Sequence, residues 1–88
     1  MQHQEIVVRN RHGLHARAAA RLTLLATQFK SNVVLVANGR RANARSLVAV
    51  MILAAGVGSR VLIETAGPDE VEAMTAVTRL INERFGES

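Results

Sequence analysis

The spacing of apolar and polar residues changes along this chain, and each spacing predicts a type of secondary structure. Alternation with period two is typical of a half-buried strand, whereas apolar residues three and four apart indicate a helix. The predicted strands are 4–9, 32–36, 40–44 and 60–66. In the first of them, Ile6 and Val8 fall on one face. Asn38-Gly39, between the second and third strands, is typical of a two-residue hairpin turn.

Three helices are predicted between and after these strands. The first, at 16–28, has an apolar stripe at helical spacing: Ala18, Ala19, Leu22, Leu25, Ala26 and Phe29. The second is short and almost wholly apolar, at 47–53, and Ser46 is its predicted N-cap. The stripe of the third is Ala73, Met74, Val77, Leu80 and Ile81.

Both ends of the third helix carry local signals. Asp69 is a predicted N-cap, and Glu72 three residues later completes a capping-box pattern. Gly86 lies just past the predicted end of the helix.

The resulting order is β-α-β-β-α-β-α. Strands and helices in that order predict an α+β fold, with helices covering one face of a sheet. The length of 88 residues fits a single domain spanning 1–88.

Composition narrows the classes of function. The chain has no cysteine, which excludes disulfides and thiolate metal sites. The longest apolar run is too short to cross a bilayer, and the polar N-terminus lacks the apolar core of a signal peptide. We therefore expect a soluble cytoplasmic protein without a membrane partner. The net charge of +4 favours an anionic partner, but two phenylalanines are the only aromatics, so a stacking platform for nucleic acid is not expected.

The candidate functional residues lie where the first helix begins. A helix starting at Ala16 makes His15 its N-cap and leaves the backbone N–H groups of Ala16 and Arg17 without intrahelical partners. Such N–H groups, the helix dipole and the Arg17 guanidinium together suit a phosphate. Gly13 lets the chain turn sharply into the helix. This arrangement suits a phosphohistidine.

Two other classes of function stay open at this point. A small basic nucleic-acid binder fits the charge and part of the element order. A metal-binding module would use His12 and His15, but these precede the helix and have no carboxylate or cysteine near them in sequence. We expect no metal and no cofactor.

Three stretches resemble one family over nearly the whole chain. These are HGLHARAAARL, ARSLVAVMIL and ETAGPDEVEAMTAVTRLINERFGE. They are similar to the histidine-containing phosphocarriers, the HPr family of the bacterial phosphoenolpyruvate-dependent phosphotransferase system. The resemblance implies an open-faced β-sandwich, in which three helices cover one face of a four-stranded antiparallel sheet.

The resemblance also implies roles for individual residues. His15 would accept a phosphoryl group on Nδ1 from enzyme I and pass it to a IIA protein, and Arg17 would stabilise the phosphate. Ser46 would be the regulatory serine modified by a dedicated kinase, HPr kinase/phosphorylase. The docking face for these partners would comprise Ala20, Leu24, Leu47, Val48 and Met51.

The implied protein is a carrier that is modified stoichiometrically, and not an enzyme. We also expect a monomer, because nothing in the sequence calls for oligomerisation. Three positions depart from the family pattern. Ala18 stands where proline is common, and Leu24 and Thr27 stand where basic residues are common. Two kinds of carrier also stay open. One serves sugar uptake, and the other is a regulatory or nitrogen-type carrier, NPr, which signals by its phosphorylation state.

Overall fold

The computed structural model describes residues 1–87 and has an α+β fold, as predicted. The strands are β1 Gln2–Val7, β2 Asn32–Ala37, β3 Arg40–Asn43 and β4 Arg60–Ala66. The helices are α1 Ala16–Ala26, α2 Leu47–Ile52 and α3 Glu70–Asn82. The predicted element order is confirmed, and one further helical turn of 3-10 type follows at Arg84–Gly86.

The strands form one antiparallel sheet in the order β1-β4-β2-β3. β4 is central, and its Ile63 pairs with Gln4 on one side and Leu35 on the other. Along β4, Val61 and Ile63 are buried while Leu62 between them is only half-buried. This alternation places the core on one face of the sheet, where the helices pack.

Burial confirms the apolar stripes inferred from the pattern. Ile6 and Val8 are buried together, as are Leu22 of α1 and Val77 of α3. Three members of the stripes pack against the core while only partly buried, namely Leu25, Phe29 and Leu80. Phe85, just beyond α3, is fully buried.

The hairpin between β2 and β3 has the predicted turn. Asn38 and Gly39 have φ of 52° and 75°. Two consecutive positive values are those of a type I′ turn, whose twist matches that of the flanking strands. The Asn38 amide also donates to the carbonyl of Leu53 at 2.7 Å, so the turn is tied to the end of α2.

The limits of five predicted elements shift, by one residue in β2, β3 and α2 and by two residues in β1 and α1. β1 lies at 2–7 instead of 4–9, because the whole of its length pairs with β4, from Gln2 opposite Thr65 to Val7 opposite Arg60. α1 ends at Ala26 instead of residue 28, and the Thr27 hydroxyl donates to the carbonyl of Leu24.

The capping-box prediction for α3 is wrong. Asp69 occupies the N-cap position, but its carboxylate makes no capping bond. It accepts instead from the backbone N–H of Lys30 and Ser31, at 3.0 and 2.8 Å, and from the Ser31 hydroxyl at 2.5 Å. These tertiary donors fix the loop before β2 to the start of α3, which local sequence spacing could not indicate.

Candidate functional site

The loop that precedes α1 turns at a position that requires glycine. Gly13 has φ of 62°, and a Cβ there would lie 2.4 Å from the Ala55 carbonyl oxygen. The next residue, Leu14, is buried, and its N–H donates to that same oxygen at 2.9 Å. The loop carrying His15 is therefore held against the segment after α2, and Gly13 has the predicted role in the turn.

His15 is the N-cap of α1, as predicted. Its backbone is extended, with φ of −74° and ψ of 178°, and its carbonyl accepts from Ala19 N–H at 2.8 Å. Its Nδ1 accepts from the Arg17 N–H at 3.3 Å. The Arg17 N–H, which has no backbone partner within the helix, is therefore bound by the imidazole itself, which caps the helix. Among residues 1–87, Ala16 N–H has no hydrogen-bond partner.

The other ring nitrogen of His15 meets a carboxylate from the opposite end of the chain. Nε2 lies 2.8 Å from Glu87 Oε2, and the side chain of Glu87 is 15% exposed while that of His15 is 31% exposed. Because a backbone N–H can only donate and an ionised carboxylate can only accept, the proton is on Nε2 and the Nδ1 lone pair points to the helix start.

Opposing effects act on the Glu87 carboxyl. Its burial raises the pKa, while hydrogen bonds from Asn10 and His15 and the charge of Arg17 lower it. The lowering effects prevail, and the pKa of Glu87 lies below its usual value. Glu87 is therefore an anion at neutral pH.

Asn10 links the His15 loop to Glu87. It is fully buried, and its amide nitrogen donates to the Gly13 carbonyl at 2.7 Å and to Glu87 Oε1 at 3.1 Å. Both partners are acceptors, which fixes the orientation of the amide.

His15 lines an open depression of about 850 Å³ with cationic walls. The lining residues are Arg11, His12, His15, Ala16, Arg17, Arg21, Gly86 and Glu87. Three arginines in one depression favour an anionic group over a neutral one. Arg21 also donates to the Phe85 carbonyl, so it ties the C-terminal turn to α1.

The ring of His12 lies beside that of His15. Their centroids are 5.6 Å apart and the rings are nearly perpendicular. In the described residues, no group of three or more histidine, aspartate, glutamate or cysteine side chains is placed to hold a metal ion.

Exposed side chains of α1 and α2 form an apolar surface. The predicted interface residues Leu24, Leu47, Val48 and Met51 are exposed, and Ala20 is half-buried. Ile52, which the sequence did not single out, is 51% exposed on α2 and extends the same surface. α1 packs on α2. The segment that follows α2 also contacts Gly13, in the loop that carries His15.

Ser46 lies at the start of α2. Its exposed hydroxyl accepts from Ala49 N–H at 3.3 Å, so the capping prediction is confirmed. None of the helices in 1–87 has the length and apolar character that crossing a membrane requires.

Several site residues had no signal in the sequence. Asn10, Arg21 and Glu87 contact the site through tertiary packing, and Glu87 is 72 residues from His15. The nearest signal is Gly86, whose φ of 76° turns the chain beyond α3. That signal indicates a turn and does not indicate what the turn approaches.

Comparison with known proteins gives a consistent result. A family model described as "PTS HPr component phosphorylation site" matches residues 2–83. The phosphocarrier protein HPr of Cupriavidus necator is 53% identical over 99% of this chain and 98% of its own length. The phosphocarrier protein NPr of Shewanella violacea is 31% identical over 97% of this chain and 93% of its own.

Solved structures agree with the sequence comparison. The crystal structure of HPr-C-His from Thermoanaerobacter tengcongensis superimposes with a TM-score of 0.95 at 35% identity. The match covers 100% of this chain and 99% of that one. Both the fold and the sequence thus point to the same group of proteins.

Proposed function

This chain belongs to the HPr family of phosphotransferase-system phosphocarriers, and from that membership and the site we propose that His15 carries the phosphoryl group. In this proposal, phospho-enzyme I donates the group to His15, and a IIA protein removes it. The observation that carries the proposal is the contact in which Nδ1 of His15 accepts from the Arg17 N–H, at the first turn of α1 in a depression lined by arginines.

The first turn of α1 supports an anion on Nδ1. Bond formation between Nδ1 and phosphorus uses the lone pair that now accepts from Arg17 N–H. That N–H is then released to bind phosphoryl oxygens together with the N–H of Ala16. The helix dipole and the Arg17 guanidinium add positive charge at the same place. The group is stabilised without being enclosed, so a second protein can remove it.

The apolar surface of α1 and α2 fits protein partners. Leu24 is 67% exposed and Val48 is 66% exposed, and such neighbouring side chains are costly to leave in water unless a partner covers them. We assign enzyme I and the IIA protein to this surface, with Ala20, Leu47 and Met51 as further contacts. The arginines around His15 would complement an acidic rim on either partner.

Transfer through this site makes the protein a stoichiometric carrier and not an enzyme. It needs no metal or cofactor, because the donor and acceptor proteins supply the reacting groups. We place the carrier in the cytoplasm, acting as a monomer through one domain at 1–88.

A regulatory or nitrogen-type carrier is the second candidate. It is favoured by the match to NPr, although the identity of 31% is well below the 53% to an HPr. Regulation through Ser46 belongs to either candidate. An HPr kinase/phosphorylase would find an exposed hydroxyl at the start of α2, beside Leu47, and the added charge would lie in the docking surface.

Intact mass spectrometry tests the carrier function. The protein is mixed with phosphoenolpyruvate, magnesium and enzyme I, with His15→Ala and the matched control His3→Ala in parallel. We expect one acid-labile phosphoryl group on the parent and on His3→Ala, and none on His15→Ala. An unmodified parent with both sugar-type and nitrogen-type enzyme I would refute the proposal, and the enzyme I that reacts faster identifies the branch.

A further inference from the structure

The Glu87 carboxylate lies at the side of the His15 ring opposite Nδ1, and it takes no direct part in the proposed transfer. Glu87 Oε2 lies 2.8 Å from Nε2, opposite the nitrogen that would react. Both ring nitrogens therefore have a partner, since Nδ1 accepts from Arg17 N–H. A ring bound at both edges has a fixed orientation and a fixed tautomer.

The position of Glu87 is set by the fold. Phe85, two residues earlier, is fully buried, and it and Arg84 have φ of 55° and 58°. Two consecutive left-handed non-glycine residues cost free energy, which the burial of the Phe85 ring offsets. The turn therefore persists, and it delivers Glu87 to His15.

Two further side chains hold this turn. Arg21 of α1 donates to the carbonyl of Phe85. Asn10, buried in the loop before His15, donates to Glu87 Oε1 at 3.1 Å and leaves Oε2 for the imidazole. Each carboxylate oxygen thus has its own donor, which directs the second oxygen at Nε2.

We propose that Glu87 is a positioning residue for His15: its carboxylate keeps the proton on Nε2, leaves the Nδ1 lone pair to react, and balances the charge that the ring acquires. This role rests on the proposed function of His15 as the phosphoryl acceptor. Glu87 does not touch the phosphoryl group. It acts through the imidazole, as the partner of a reactive or ligating histidine does in other sites.

The step that Glu87 assists is balanced within the two proteins. The Nδ1 lone pair forms a bond to phosphorus while the bond from phosphorus to the donor's nitrogen breaks, and that nitrogen keeps the electron pair. Because Nε2 keeps its proton, the ring becomes positive as the Nδ1–P bond forms. The Glu87 carboxylate faces that positive charge, and return transfer to an acceptor reverses the change.

Three variants test this role: Glu87→Gln, Glu87→Asp and the control Glu83→Gln. Glutamine keeps an acceptor oxygen but loses the charge, whereas aspartate keeps the charge on a shorter arm. Glu83 is exposed at the C-cap of α3, so its replacement makes the same change of net charge near the same end of the chain. Urea unfolding of each variant checks that the fold is intact.

Nitrogen-15 NMR of the imidazole, at about pH 9 where histidine is neutral, gives the ratio of the two tautomers. We expect the Nε2–H to Nδ1–H ratio of His15 to fall about fivefold in Glu87→Gln, because a charged acceptor binds N–H more strongly than an amide. Glu83→Gln should keep the parent ratio, and Glu87→Asp should lie closer to the parent than Glu87→Gln does.

Quench-flow transfer from phospho-enzyme I is the second readout. We expect the rate to fall about tenfold in Glu87→Gln, the lower end of what losing such an outer partner costs. An unchanged tautomer ratio, or a changed ratio with an unchanged rate, would overturn the positioning role. If the parent itself accepts no phosphoryl group, the proposed function fails, while the NMR ratio still decides whether Glu87 sets the tautomer.

Discussion

Gly13→Ala is expected to destabilise the protein strongly and to disturb the site, because this residue combines two constraints. Its φ of 62° is left-handed, which costs an alanine roughly 1–2 kcal/mol. In addition, the new Cβ would lie 2.4 Å from the Ala55 carbonyl oxygen and 2.7 Å from Gly56 Cα. Both atoms are backbone and cannot move as a flexible side chain does.

The size of the effect follows from separating these constraints. Relief of the clash must move the Ala55 carbonyl, which accepts from Leu14 N–H at 2.9 Å, and loss of a buried hydrogen bond costs about 1–3 kcal/mol. Gly39 supplies the matched control, since its φ is 75° and a Cβ there meets nothing within 4 Å. We expect Gly39→Ala to cost about 1 kcal/mol and Gly13→Ala about 2–4 kcal/mol.

Urea unfolding followed by circular dichroism measures both variants against the parent. With a slope of about 1 kcal/mol per molar urea, the midpoint of Gly13→Ala should fall by roughly 2–4 M and that of Gly39→Ala by about 1 M. Equal midpoints for the two variants would refute the close contact between the His15 loop and the segment after α2. Transfer to His15 should also slow in Gly13→Ala only.

Other side chains make separate predictions. The pKa of Asp69 is lowered first by the hydrogen bond from the Ser31 side chain and next by the one from Lys30 N–H. The Asp69 carboxylate therefore stabilises the fold above about pH 4, and this stabilisation is lost as the pH falls through the pKa of Asp69 in the folded protein. The difference in urea midpoint between the parent and Asp69→Asn should therefore be larger at about pH 7 than at about pH 3, and equal differences would exclude this linkage. Ser46→Ala should lose about 1 kcal/mol in the same assay and Ser46→Asp much less, since aspartate also caps; equal losses would argue against the Ala49 contact. Leu22 is fully buried and Leu24 is 67% exposed. Thermal unfolding should therefore show that Leu22→Ala lowers the free energy of unfolding by about 2–5 kcal/mol, and Leu24→Ala by about 0.5 kcal/mol or less. Similar losses would mean that the faces of α1 are wrongly assigned.

The sequence predicted the elements well because their signals are local. Period-two alternation in β4 survives unchanged at 60–66, where the strand has partners on both sides. β1 slid by two residues because its limits are set by the register with β4, which the sequence of β1 alone does not contain. The His15 cap could be predicted for the same reason as β4, because a helix cap depends on consecutive residues.

The remainder of the site could not be predicted because it is tertiary. The carboxylate of Asp69 was expected to cap its own helix, and donors 38 and 39 residues away take it instead. Glu87 carries no pattern that distinguishes it from any exposed glutamate near a chain end. Its role appears only when the buried Phe85 ring places the turn beside Asn10 and His15.

Nδ1 of His15 is the atom proposed to carry the phosphoryl group. Nitrogen-15 NMR of the phosphorylated protein, with labelled histidines, identifies the nitrogen bonded to phosphorus, and His12→Asn serves as the control for the neighbouring ring. We predict that Nδ1 of His15 is the nitrogen that couples to phosphorus, in the parent and in His12→Asn alike. A phosphoryl group on Nε2 of His15, or on His12, would contradict the proposed role of Nδ1.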